Sequence, residues 1–327
     1  MIGVAGCMDG RLRCLFCNPL VFDWAFAHVQ RSKYQVLLLI IFIAVELLCM
    51  GIEAPRVSIL SDGIIKMDGG SIFGQIPRYI WELKSKPDRL NRVSLGLNYL
   101  LVKYRGLNVL IDTGVGTKET GDLKDTYGIS SGKLLRNLKK EGLSAKDINA
   151  VILTHLHFDH SGGCTKIDRS ANIIPAFPKA SYYVQEDCWK EAHNLNERSK
   201  DIHNAEDYSC LERSGQLVLI NGDVQVLPGL NVKKTGGHCI GHQSVHINGG
   251  GEKIVFLGDI IPTSHHIDLS YIAANDQYPE ETLENKRELI EEAVRDGWLV
   301  VFSHGTTTKA GYMEKRDGLV SLKPVTI

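Results

Sequence analysis

The tract "THLHFDHSGG", residues 154–163, restricts this chain more than any other feature. Three histidines and an aspartate occupy six positions directly behind the apolar run "AVIL" at 150–153. An uninterrupted short apolar run reads as a buried strand, which places the tract at a strand's carboxyl end. Side chains alternate along an extended segment, so His155, His157 and Asp159 point to one side, and a turn at the strand end brings His160 round to the same space. Four such groups left bare beside a buried strand are costly in desolvation, and a divalent cation offsets that cost by taking their lone pairs. Gly162 and Gly163 then allow a sharp turn into the next helix. Solitary surface histidines have no need of H-x-H-x-D-H spacing, which is a metal-ligand pattern.

A centre of this kind draws further ligands from other strand ends. "TGGHCIGH" supplies His238, "FLGD" supplies Asp259 and "FSHG" supplies His304, each after an apolar strand or at a glycine turn. The stretches "VSIL", "GIIKM", "LGLNYLLVKY" and "LNVLIDTG" read as strands, as do "SYYV", "GQLVLI", "GLNVKKT", "QSVHIN", "KIVFLGD" and "WLVVFSHG". Leu134, Leu135 and Leu138 lie at helical spacing before Gly142, Ser144 to Asp147 suits a capping box, and a further helix starts near Gln185. The tract from Pro279 to Gly297 reads as a long amphipathic helix with acids in its first turn. Strand runs in two groups, each trailed by helices, predict layered sheets covered by helices outside.

With 327 residues, 43% of them hydrophobic, the chain has ample core for an enzyme. A net charge of -1 gives no field to attract nucleic acid or an anionic membrane. Eight cysteines without regular spacing fit a reducing, cytoplasmic setting, and the lone pair Cys14 and Cys17 lacks the second half of a zinc site. Residues 1–56 read as an N-terminal extension and 57–327 as the catalytic domain. The extension carries an apolar tract at 36–50, shorter than the ~20 residues that cross a bilayer. It is open to reading as a weak membrane contact, a buried helix, or a segment upstream of a start at Met50 or Met67.

The ordered motifs "IDTG" (111–114), "THLHFDHSGG", "GGHCIGHQS", "GDI" and "SHG" resemble those of the metallo-β-lactamase superfamily of hydrolases. The resemblance covers roughly residues 57 to 310. It implies an α/β, four-layer αβ/βα sandwich of two mixed β-sheets flanked by helices, with the metal site at the sheet edge. It further implies that His155, His157 and His238 hold one metal, that Asp159, His160 and His304 hold a second, and that Asp259 bridges both. Within the superfamily the chain is most similar to quorum-quenching N-acyl-homoserine lactonases, in domain length, in "GHQS", and in the spacing from His238 to Asp259. It departs from them at Pro262, where those enzymes carry a tyrosine; Tyr271, His265 and His266 are the candidates to replace that phenol.

The activity so implied is a dinuclear metal-dependent hydrolase that uses a metal-bridging hydroxide to open an ester or lactone. Asp159 is the expected catalytic residue, shuttling the proton to the leaving group. Nitrogen and oxygen ligation suits two Zn2+ ions, with iron, manganese or cobalt able to fill the same shell. The expected partner is a small-molecule ester or lactone, with no nucleic acid; nothing in the sequence sets the oligomeric state. Alternatives on the same ligands are an aryl esterase, a phosphotriesterase, a thioesterase or, with a single iron, a sulfur dioxygenase. A thioesterase of the glyoxalase II type typically adds a helical C-terminal domain, whereas only residues 305–327 follow His304 here. A nuclease would need a basic exosite, and a binding protein on this fold would be expected to have lost ligands.

Other conspicuous residues receive quieter readings. Asp112 orients a ligand histidine or anchors turn amides. His242 is structural, His246 alternates into a strand core, and His28, His193 and His203 face solvent. Cys164 and Cys239 are buried bystanders. The tract "SIFGQIPRYIWEL", with Phe73, Tyr79 and Trp81, and the 262–279 loop are the expected substrate walls.

Overall fold

A computed structural model of the chain describes residues 54–118, 121–129 and 132–326. The expectations for Cys14 and Cys17, His28, the apolar tract 36–50 and a start at Met50 lie outside the described residues. Residues Glu53–Ile327 form one compact unit, and among the described residues no helix is long and apolar enough to cross a membrane.

The first half of the chain lays down β1 (Arg56–Asp68), β2 (Arg92–Tyr104), β3 (Leu107–Ile111) and β4 (Ala150–Ile152). A small hairpin, β5 (Thr165–Ile167) and β6 (Ile173–Pro175), precedes β7 (Ser181–Gln185) and β8 (Leu217–Ile220). These make a six-stranded sheet in the order β1-β2-β3-β4-β7-β8, antiparallel from β1 to β3 and parallel thereafter. The second half contributes β9 (Val224–Leu227), β10 (Leu230–Lys234), β11 (Gln243–Gly249), β12 (Glu252–Phe256), β13 (Leu299–Val301), β14 (Ala310–Arg316) and β15 (Leu319–Val325). Their seven-stranded sheet runs β15-β14-β13-β12-β11-β10-β9, with one parallel pair, β12 and β13.

Period-two alternation explains how the layers stack. Leu100, Val102, Val109, Ile111 and Ile152 of the first sheet share a core with Val245, Ile254, Phe256 and Val301 of the second. The intervening Leu101, Leu110 and Val151 turn outward onto Leu134, Leu138 and Trp189 of the helices Leu134–Lys140 and Glu186–Ala192. On the other side Val255, Val300 and Phe302 meet Leu289, Ile290 and Ala293 of the helix Pro279–Asp296. That helix has proline in its first turn with Glu280 and Glu281, and ends on left-handed Gly297, as its sequence predicts. The molecule is the four-layer sandwich expected.

One local expectation changes. "VSIL" and "GIIKM" belong to one strand, β1, whose register shifts between Ser61 and Gly63. At that bulge Asp62 turns inward, and its carboxylate accepts from the backbone N–H groups of Gly116, Lys133 and Leu134. Met67 pairs with Val93 near the end of β1, so a chain started there would lose most of an edge strand. The C-terminal stretch forms the hairpin β14–β15 that extends the second sheet.

Candidate metal centre

The parallel strands deliver the predicted site residues, since open mixed sheets collect ligands beyond the carboxyl ends of such strands. Asp112 follows β3, His155 and His157 follow β4, Asp259 follows β12, and His304 follows β13. His238 comes from the loop joining β10 to β11. The extended stretch ends at His157, and Asp159 and His160 lie in a one-turn helix, Phe158–Ser161, so alternation accounts for the two histidines and helical winding for the other pair.

All seven residues converge and all are at least nine-tenths buried. His157 Nδ1 lies 2.9 Å from His155 Nε2 and 3.1 Å from His238 Nε2. His304 Nε2 stands 3.3 Å from His160 Nε2 and 3.6 Å from an Asp159 oxygen. Asp259 lies between the two groups: Oδ1 is 3.3 Å from His160 Nε2 and 3.2 Å from His304 Nε2, while Oδ2 is 3.5 Å from His238 Nε2.

The outer hydrogen bonds settle which ring nitrogens carry protons. Thr154 Oγ1 donates to Asp112 at 2.8 Å and therefore accepts from His155 Nδ1 at 3.0 Å. His160 Nδ1 donates to Asp112 at 2.7 Å, His238 Nδ1 to Asp276 at 2.7 Å, and His304 Nδ1 to the Gly96 carbonyl at 2.8 Å. In their neutral forms these four rings all aim Nε2 lone pairs into the same small space, where they repel unless a cation lies among them. The donor set therefore fits a metal. Burial, and then the neighbouring rings, push His155 and His157 well below the ordinary imidazole pKa. For His160 and His304 burial acts downward, but Asp259 and the other acids outweigh it and raise them; Asp276 and Asp259 do the same for His238. The three rings closest to the acids thus lie where a positive charge is favoured, which suits a cation.

Backbone shape supports this convergence. Asp112 adopts φ 60°, uncommon outside glycine, and its carboxylate also accepts from Thr154 N at 2.8 Å. A Cβ on Gly162 would lie 2.2 Å from the Val115 carbonyl oxygen, and one on Gly163 2.4 Å from that of Thr113. The glycine pair serves close approach of the 112–116 loop, and it opens a short 3-10 turn, Gly162–Cys164, in place of the expected helix. His242, structural as expected, accepts from Asp259 N at 2.9 Å and so fixes the backbone of that residue. Cys164 and Cys239 are buried bystanders, His193 is exposed, and His246 is half-buried against Trp298.

A cleft opens onto the cluster, walled by Met67, Ile72, Leu95, Phe158, Ile202 and Pro262. The 262–279 loop contributes to it, through Pro262, Ala273 and Asn275. The aromatic tract does so only through Ile72: Phe73 and Trp81 stack on each other in the core, and Tyr79 is 70% exposed. None of the candidates to replace the phenol lines the cleft. Tyr271 is buried against Phe73, and His266 is occupied by Thr263 and the Ile72 carbonyl.

Several functional neighbours escaped the sequence reading. Asp276 carries no motif of its own, and Thr154 opens the histidine tract without having been given a role. Asn98, on β2, donates to the carbonyls of Phe302 and Gly305 and so holds the loop that carries His304. His203, expected at the surface, is only 9% exposed, with its ring centroid 5.0 Å from that of His157. Its polar sequence surroundings concealed a buried position.

Residues 94–304 match the metallo-beta-lactamase superfamily, and the chain belongs to that family. It is 27% identical over 233 residues to an N-acyl homoserine lactonase of Bacillus cereus, covering 65% of this chain and 82% of that one. It is 29% identical over 178 residues to the Homo sapiens acyl-coenzyme A thioesterase MBLAC2, covering 52% of this chain and 60% of that relative's length. Among solved structures, a probable metal-dependent hydrolase from Staphylococcus aureus superposes with a TM-score of 0.76 at 28% identity, covering 84% of this chain and 99% of that one. These relatives are hydrolases, as the sequence reading anticipated.

Proposed function

We propose that the chain is a hydrolase that holds two divalent cations, most simply zinc, and opens a lactone or related ester. The observation that carries this reading is the inward convergence of four Nε2 atoms whose rings already commit their Nδ1–H groups outward. His155 Nε2, His157 Nδ1 and His238 Nε2 would hold one cation, and Asp159, His160 Nε2 and His304 Nε2 the other, with Asp259 shared. Cations bound there supply Lewis acidity that polarises a carbonyl and lowers the pKa of water toward about 7. Asp159 borders the cleft, so one carboxylate oxygen can face the centre while the other receives and returns a proton. Apolar walls exclude water and suit a neutral acyl group, as the lactonase relative's substrate would present.

Pro262 favours a second reading. Without a phenol in the cleft, Asp159 is the chief proton source for a departing group. An alkoxide from a lactone needs that proton, whereas a thiolate, whose conjugate acid has a pKa of about 8.5, leaves without it. A thioester substrate accords with the thioesterase relative.

Metal analysis of the purified protein, joined to hydrolysis assays on N-acyl homoserine lactones, simple lactones, aryl esters and acyl thioesters, tests both readings. Two equivalents of metal with lactone opening is the expected result. Thioester cleavage without lactone opening selects the second reading, and a protein that takes up no metal and hydrolyses nothing after reconstitution overturns both.

A further inference from the structure

Four of the five predicted ligand histidines have a committed outer partner: Thr154, Asp112, Asp276 or the Gly96 carbonyl. His157 is the exception. Its Nδ1 faces His155 and His238, and its Nε2 is buried without a hydrogen-bond partner among the described residues. With the Nδ1 lone pair turned inward, the single proton of the neutral ring sits on Nε2, which makes that atom a donor lacking an acceptor.

His203 has the opposite deficit. Its Nδ1 lies 3.0 Å from the Ser199 carbonyl oxygen and must carry the proton, leaving Nε2 as a lone pair that is likewise buried and unpartnered among the described residues. The two rings stand 5.0 Å apart, centroid to centroid, with planes at 87°. His160 and His304 show what such a spacing permits: at 5.1 Å and 85° their Nε2 atoms are 3.3 Å apart. The spacing and angle of the two rings therefore leave room for the His157 donor to meet the His203 acceptor. A buried polar atom left unmatched costs about 1–3 kcal/mol, so two complementary ones side by side have reason to pair.

We propose that His203 is the positioning residue of His157, accepting its Nε2–H and holding its Nδ1 lone pair toward the other ligands. This rests on the metal-binding reading above and extends the site to the segment that also carries Ile202, a wall of the cleft.

Zinc affinity of the full chain, measured by competition with a chromophoric chelator, tests the assignment. His203→Phe removes the acceptor and keeps a ring, while His203→Gln restores a carbonyl oxygen near the former Nε2. Zinc affinity should fall roughly 10- to 100-fold in the phenylalanine variant and recover substantially in the glutamine variant. The visible spectrum of the cobalt-loaded protein should change and recover in parallel. Metal-free melting temperatures check folding, and His203→Met replaces the phenylalanine variant if that ring is not accommodated. Unchanged affinity in the apolar variant, or an equal loss in His203→Gln, overturns the assignment while leaving metal binding intact. A wild-type chain that takes up no zinc overturns the functional reading itself.

Discussion

Asp112 Oδ2 lies 2.7 Å from His160 Nδ1 and 2.8 Å from Thr154 Oγ1, and Thr154 in turn receives His155 Nδ1. One carboxylate thus orients a histidine of each predicted metal group, the first directly and the second through a hydroxyl.

Asp112→Asn should weaken metal binding on the order of 10- to 100-fold, because an amide cannot accept at both oxygens. Asparagine tolerates positive φ, so the backbone at 60° should survive and the metal-free protein should melt near the wild-type temperature. Chelator competition and a melting curve separate the two effects; unaltered affinity would contradict the role.

Asp159→Asn should leave the fold intact and lower turnover on the order of a hundredfold or more. The effect should be smaller on an activated thioester than on a lactone, since a thiolate needs no proton to depart. Steady-state rates on both substrates provide the check, and full lactone turnover would exclude Asp159 from proton transfer.

Gly162→Ala should cost about 1–3 kcal/mol of stability. Its new methyl would meet the Val115 carbonyl oxygen at 2.2 Å, backbone that cannot swing aside as a side chain does. Gly142→Ala is the control: nothing lies within 4 Å of its Cβ position, and only φ 75° opposes the change. Urea unfolding midpoints should rank Gly162→Ala as the more damaging.

Lys286 is buried on the helix Pro279–Asp296 and donates to the carbonyls of Asp268 and Tyr271 at 2.7 Å each. Burial lowers its pKa from 10.5 to about 8 despite Asp276 and Asp268 nearby. The folded protein therefore holds this proton less tightly than the unfolded chain. The cost is complete below about pH 8 and is relieved as pH rises toward 10.5. Wild type should accordingly gain stability relative to Lys286→Met across that interval, as denaturant titrations at stepped pH would record. A stability difference constant with pH would exclude the burial penalty.

The legible part of this molecule was the part governed by local chemistry. Apolar runs and alternation located most strands, Pro279 and Gly297 bracketed their helix, and the spacing of His155, His157, Asp159 and His160 pointed to a convergence that the folded chain displays. What stayed hidden depends on contacts between distant segments. Asn98 looks like any strand residue until β2 meets the 302–305 loop, and Asp276 gains meaning only when its loop folds over His238. His203 was misjudged because its neighbours in sequence are polar while its neighbours in space are Ser199 and His157. Gly162 was read as part of a sharp turn, and its tertiary crowding emerged only with the 112–116 loop in place.

The predicted ligands hang from both sheets: His155 and His157 from β4 of one, Asp259 and His304 from β12 and β13 of the other. Any ion seated among them would rivet the sandwich at the rim where its greasy interior gives out. At a thousandfold excess over the dissociation constant, such a rivet contributes about 4 kcal/mol to cohesion. Stripping the ion should then silence the enzyme and loosen its two halves in a single act, and calorimetry would register both losses over the same range of chelator.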